Sequence, residues 1–200
     1  MNAQEKKIMD LEKRMYFFVP YNILDIQKGI QAGHGGFRYI LKYGRYNPNH
    51  EIWDFIENHQ TWIIFSGGTT NDDYNGITNG LCLQEIAGSL DYFNDFCDHN
   101  QIVDYSTFRE PDLNKALTAV CFLADERVFN YDDYPDFHDW IIQQEIVIED
   151  EKLNTFTNLK GKTAPELKEL FPGMYPLWIT FLGGAKNVFL RNLLKGKRFA

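Results

Sequence analysis

Tyr21–Tyr43 reads YNILDIQKGIQAGHGGFRYILKY, and how this stretch folds decides the rest. It follows Met15–Pro20, MYFFVP, an apolar run of the length of a buried strand. The stretch opens as a loop and becomes a helix near Gln27. At about 3.6 residues per turn, Gln27, Gln31, His34 and Arg38 share one stripe. Ile30, Phe37 and Leu41 make an apolar stripe beside it. Gly29, Gly33, Gly35 and Gly36 sit in the same helix, each costing about 1 kcal/mol against alanine. They predict that another element or a ligand comes close to the helix backbone.

Outward from this stretch the chain alternates strand and helix. Arg14–Pro20 is the first strand, closed by Pro20, which has no N–H for a ladder. Asn47–Pro48 breaks the chain, and Glu51–Asn58 follows as a short helix. Trp62–Phe65, WIIF, is a second buried strand. Ser66–Gly80 is a polar loop of the length associated with function or mobility. Leu81–Cys97 is an amphipathic helix, with Leu83, Ile86, Leu90, Phe93 and Cys97 three or four apart. Ile102–Phe108 and Leu117–Leu123 are the third and fourth strands, joined by a turn carrying Arg109-Glu110-Pro111-Asp112. This order predicts an α/β fold: a mixed four-stranded sheet with helices on both faces. From about Asn130 the pattern is a mainly helical C-terminal extension: 136–147, 164–171 with Pro165 in its first turn, and 185–194 after Gly183–Gly184. The expected organisation is an arm (1–13), an α/β domain (14–129) and an extension (130–200), acidic then basic.

Of the 200 residues, 44% are apolar and 16% aromatic, enough for a packed core. No apolar run approaches the roughly 20 residues of a membrane span. The charged opening MNAQEKKIMDLEKR lacks the apolar core of a signal peptide, so a cytoplasmic protein is expected. Cys82, Cys97 and Cys121 have no metal-ligand spacing and read as reduced thiols. His50, His59, His99 and His138 are dispersed, and neither a metal nor another cofactor is expected. The net charge of −8 disfavours tRNA or duplex as a partner. The acid is concentrated between Asp125 and Glu151, whereas Lys186, Arg191, Lys195, Lys197 and Arg198 make the end basic. The two regions either pair, within the chain or across a homodimer, or form two solvated faces.

The unit MYFFVPYNILDIQKGIQAGHGGF resembles the opening of the type II peptidyl-tRNA hydrolases, where a strand, a loop and a helix carry Gln-x-x-His-Ala. Here the motif is Gln31-Ala32-Gly33-His34-Gly35. Thr118–Phe122 resembles that family's last strand, which also opens with threonine. The resemblance covers roughly residues 14–125, and GIQAGH, GGTTN and FREPDLN are similar to a phage-encoded branch. It implies a peptidyl-tRNA hydrolase II-like fold. Two departures qualify the activity it implies. The family's catalytic lysine position holds Gln27; Lys28 is its neighbour, about 100° round the helix. The family's Asp-Ala-Gly-x-Thr-Gln turn is replaced by Ser106–Asp112, which leaves Asp104, Glu110 and Asp112 as the available acids.

If the strands run as predicted, their ends gather one cleft. Its expected catalytic residues are His34, Gln31 and Glu110, with His34 as general base or phosphate orienter. Its expected ligand-binding residues are Gln27, Lys28, Thr69, Thr70, Asn71, Arg109 and Asp112, the loop N–H groups and hydroxyls holding a phosphate. Each has a structural alternative: a core-bonded helix histidine, a polar loop, a tight turn. The expected function is cleavage or sequestration of a small nucleotide, a cyclic or adenosine-containing immune signal in a phage anti-defence setting. Peptidyl-tRNA hydrolysis and a non-catalytic host-protein-binding module are the alternatives.

Overall fold

The computed structural model describes residues 11–69, 82–144 and 161–200. The chain forms two compact units, Met1–Glu126 with Leu193–Ala200, and Arg127–Asn192.

The first unit is built on four strands: β1 (Lys13–Val19), β2 (Thr61–Ser66), β3 (Tyr105–Glu110) and β4 (Ala116–Asp125). Their order across the sheet is β2-β1-β4-β3. β1 runs parallel to β2, with Phe17 opposite Ile64, and antiparallel to β4, with Phe17 opposite Cys121. β3 and β4 are antiparallel. The two central strands carry the near-continuous apolar runs MYFFV and ALTAVCFLA, as strands covered on both faces do. Phe17, Phe18, Val19, Val120, Cys121 and Phe122 are all 0% exposed. The outer edge of β2 is closed by the C-terminus. Ser66 N–H donates to the Arg198 carbonyl (2.9 Å) and Ala200 N–H to that of Ile64 (3.0 Å). The Phe65 and Phe199 rings stack at 5.3 Å. An open edge strand is thereby paired.

The third strand starts at Tyr105 rather than Ile102. Asn94 occupies both backbone groups of Val103, accepting from its N–H (2.8 Å) and donating to its carbonyl (3.0 Å), so the chain there is tied to a helix instead of the ladder. At its other end β3 takes in Arg109 and Glu110, which the sequence pattern assigns to the turn. The turn itself is Pro111–Leu113 followed by Asn114 and Lys115, both at positive φ (52° and 60°).

Helix α1 (Asp25–Tyr39) continues into a π-turn, Ile40–Gly44. It lies on the face that presents Phe17, Ala119 and Cys121. Gly35 and Gly36 set its height: a Cβ on Gly35 would stand 3.2 Å from the Ala119 Cβ, and one on Gly36 3.5 Å from the Phe17 ring. Helix α2 (Glu51–Asp54) is capped by His50 Nδ1, which accepts from Ile52 N–H (3.1 Å), while Nε2 meets Asp104 (2.9 Å). Helix α3 (Leu83–Phe96) covers the other face, with Leu83 and Phe18 both close against Gly67. Helices therefore cover both faces, as the alternation predicted. The apolar stripe of α1 does not enter the core: Ile30, Phe37 and Leu41 are 48%, 68% and 53% exposed.

The second unit continues through α4 (Glu126–Phe129), α5 (Phe137–Gln143), α6 (Ala164–Leu170), α7 (Met174–Phe181) and α8 (Ala185–Leu194). Phe137, Trp140, Ile141, Leu167, Trp178 and Leu182 make its own core. Helix α7 is absent from the sequence reading because Pro176 interrupts it. Pro176 lies in the first turn, where its missing N–H costs nothing. Arg191, counted among the basic terminal residues, is 3% exposed and bonds Asp136 (2.9 Å) and the Arg127 carbonyl (2.8 Å). No helix among the described residues is long and apolar enough to cross a membrane.

Candidate functional site

The site begins with an irregularity in the sheet. Phe108 pairs with Ala119, but the next residue, Arg109, pairs with Leu117, leaving Thr118 as the extra residue of a β-bulge. Regular alternation along β4 would put Thr118 on the α3 face with Val120 and Phe122. The bulge re-aims it, and its hydroxyl donates to Gln31 Oε1 of α1 at 2.6 Å. Because that oxygen is the acceptor, the amide nitrogen is left to donate, and Gln31 Nε2 reaches Glu110 Oε2 at 2.7 Å. Glu110 is the last residue of β3, on the same face as Ser106 and Phe108. A chain of oriented groups thus runs from Thr118 through Gln31 to Glu110. Gln31 is 8% and Thr118 1% exposed, so the chain is protected from competing water.

His34 stands one turn further along α1. Its ring packs on Phe108 with centroids 4.4 Å apart. Nδ1 is buried and lies 4.0 Å from Glu110 Oε2, an ion-pair distance but too long for a hydrogen bond. The side chain is 41% exposed, so the ring is open to a ligand away from the buried Nδ1. The helix is fixed at this point by Ser106 Oγ, which donates to the Gly35 carbonyl (2.8 Å). Below it, burial pushes the Cys121 thiol up to about 12, which leaves it an inert part of the core.

Beyond His34 the same side of α1 borders a cleft of about 390 Å³ lined by Arg38, Leu41, Lys42, Tyr105, Ser106 and Thr107. Arg38 has no acid or acceptor among the described residues, whereas Lys42 Nζ donates to the Tyr105 carbonyl (3.0 Å). Tyr105 cannot supply a phenolate here: burial first, then the Asp91 carboxylate to which its hydroxyl donates, hold its pKa far above the ordinary value.

Of the residues expected in one cleft, the fold brings together Gln31, His34 and Glu110. Arg109 lies on the opposite face of the sheet, where it donates to Gln84 Oε1 of α3 (3.1 Å) and to the Lys115 carbonyl (3.1 Å). The reason is alternation: Arg109 and Glu110 are successive strand residues, so they point to opposite faces. Gln27 caps α1, its Oε1 accepting from Leu24 N–H (3.2 Å). Lys28 pairs with Asp25 (2.9 Å). Asp112 is exposed on the turn after β3. Thr69 follows Gly68, whose carbonyl takes the Tyr21 N–H (2.8 Å) and ties the loop after β2 to the entry of α1. No described hydrogen bond joins Thr69 to the His34 group; Thr70 and Asn71 lie outside the described residues. Among those residues no cluster of His, Cys, Asp and Glu has the arrangement of a metal site.

Thr118, Phe108, Arg38 and Lys42 were not among the expected site residues. Thr118 had a signal, as the one hydroxyl inside the apolar run ALTAVCFLA. Arg38 had one too, on the stripe with His34, and Lys42 is its neighbour one turn on. Compared with models of known families and with curated proteins, the chain matches none.

Proposed function

We propose that this protein is a peptidyl-tRNA hydrolase II-like hydrolase whose substrate is a small phosphorylated nucleotide rather than peptidyl-tRNA. The observation that carries the reading is the oriented chain Thr118–Gln31–Glu110 beside His34, with a cationic cleft one helical turn away. In this reading the phosphate sits between Arg38 and Lys42, and Nε2 of the 41% exposed His34 takes the proton of a water attacking phosphorus; the P–O bond to the leaving group breaks and its oxygen takes the proton back from the imidazolium. The imidazolium formed is stabilised by Glu110 across 4.0 Å, and this gap closes when substrate excludes water. Thr118 and Gln31 hold the carboxylate in place. A cyclic or adenosine-containing signal nucleotide is the substrate class that fits the phage-like wording of the sequence.

Two features speak against peptidyl-tRNA. Gln27 stands where the resemblance places a lysine, and its amide already serves the helix cap. The net charge of −8 opposes a polyanion of that size. The test is incubation with a panel of cyclic and linear adenine and guanine nucleotides and with peptidyl-tRNA, followed by chromatography. Turnover of a nucleotide that His34→Ala abolishes, with an unchanged melting temperature, supports the reading. Turnover of peptidyl-tRNA alone overturns it.

A further inference from the structure

The outer face of α1 is built as if for a partner. Ile26, Ile30 and Phe37 of the helix and Leu41 of the π-turn that continues it stand 72%, 48%, 68% and 53% exposed. Gly29 and Gly33 accompany them, and a Cβ on either would meet nothing within 4 Å. Gly35 and Gly36 are explained by the sheet beneath them; these two are not. The helix carries their cost with no return among the described residues.

The order of the apolar residues selects the partner. Ile26 and Leu41 are equidistant from the midpoint between Gly33 and His34, and so are Ile30 and Phe37. A stripe symmetric about its own centre is complementary to itself when a second copy lies antiparallel across it. Ile30 then meets Phe37 of the other copy, Ile26 meets Leu41, and the two-fold falls between Gly33 and His34, where the missing side chain of Gly33 lets the backbones approach. The stripe is about 22 Å long at the rise of an α-helix. At these exposures its four large side chains offer on the order of 500 Å² per copy. Doubled, that falls at the lower end of specific interfaces, where association is weak and reversible. A patch of roughly 300–600 Å² is also the size of the largest apolar patch on a typical monomer, which is often functional.

We propose that the outer face of α1 is a two-fold interface between two copies of this chain, crossing between Gly33 and His34. Leu41 also lines the cleft beside Arg38 and Lys42, but the inference does not rest on the proposed chemistry. The stripe runs alongside the His34 stripe, so the two sites of the dimer flank the seam.

Sedimentation velocity on the full chain from about 1 to 100 µM tests it, with a dissociation constant on the order of 10 µM expected. Phe37→Asp places a charge in the seam. Gly33→Leu fills the crossing point where the chain itself has room. Both variants should keep the wild-type circular dichroism spectrum and melt cooperatively at or above the wild-type monomer's temperature for Gly33→Leu. Both should sediment as monomers, with association weakened at least tenfold. A wild-type chain that stays monomeric at 100 µM overturns the proposal and leaves the face to a different macromolecule. So does wild-type association in either variant, which would place the dimer contact elsewhere.

Discussion

Thr118 is where a single hydroxyl decides how the site is ordered. It donates to Gln31 Oε1 at 2.6 Å, and that bond leaves the amide nitrogen aimed at Glu110. Thr118→Val keeps the shape but removes the donor, leaving a buried carbonyl oxygen unpaired. A loss of about 1–3 kcal/mol is expected in urea unfolding. The proposed nucleotide turnover should fall further than stability alone explains, because Glu110 loses its fixed partner. The opposite case is Tyr39. Its ring is 0% exposed and its hydroxyl is buried with no hydrogen-bond partner in the described structure. Burial, with Glu51 and Asp104 nearby, drives its pKa well above the ordinary value, so the group stays neutral. Tyr39→Phe deletes an unsatisfied group without creating a cavity, and a gain of about 1 kcal/mol is expected on the same assay. A loss instead would mean that the hydroxyl has a partner that this fold does not display.

At the scale of elements, α1 separates two uses of glycine. Gly35→Ala would press a methyl to 3.2 Å from the Ala119 Cβ and lift the helix that carries His34, so it should destabilise and reduce turnover. Gly29→Ala meets nothing and should stabilise by about 1 kcal/mol through helix propensity. Thermal melts of the two variants should therefore move in opposite directions. Helix α2 offers a pH test. Asp54 bonds Lys13 of β1 and accepts from Asn58 (2.7 Å); the Lys13 bond is the main cause holding its carboxyl below the ordinary 3.8. A carboxyl lowered on folding stabilises above its unfolded value, and that contribution is lost as pH falls through the folded value. Asp54 is 39% exposed, so the effect is small. Asp54→Asn should melt slightly below wild type at pH 7, and the two curves should converge in acid, once Asp54 is protonated in the folded state as well. Elements were also the scale at which the sequence was most readable. Periodicity located the four strands and the helix carrying Gln31 and His34, because patterns of about two and 3.6 residues follow from backbone geometry. It missed where β3 begins, because Asn94 intercepts Val103 across the fold. It grouped Arg109 with Glu110 because a strand was read as a turn. It found the apolar stripe of α1 but not that this stripe stays exposed while Gln31, Ala32, Gly35, Gly36 and Tyr39 are buried. A bulge is a property of two strands together, so the placement of Thr118 beside Gln31 is not written in either strand alone.

At the scale of the molecule, charge discriminates between substrates. The chain carries −8, yet Arg38 and Lys42 sit together at the cleft beside His34. A mononucleotide is small enough to feel mainly these two cations, because at physiological salt charges beyond about 8 Å are largely screened. A tRNA extends many screening lengths and must lie over the acidic remainder as well. Its binding would have to release counterions from many phosphates, which a chain of net charge −8 disfavours. Isothermal titration at about 50 and 300 mM salt should separate the cases. A nucleotide held by the cleft should bind several-fold more weakly at the higher salt, and Arg38→Ala should remove most of that dependence. Transfer RNA should show no binding at about 100 µM at either salt, since screening the repulsion at 300 mM also weakens the only attraction available. Gln27→Lys should leave both results unchanged, because one added cation at a helix cap does not offset a net charge of −8. Tight tRNA binding with an affinity that falls steeply with salt would instead show a broad cationic footprint, and the choice of a small nucleotide as substrate would be wrong.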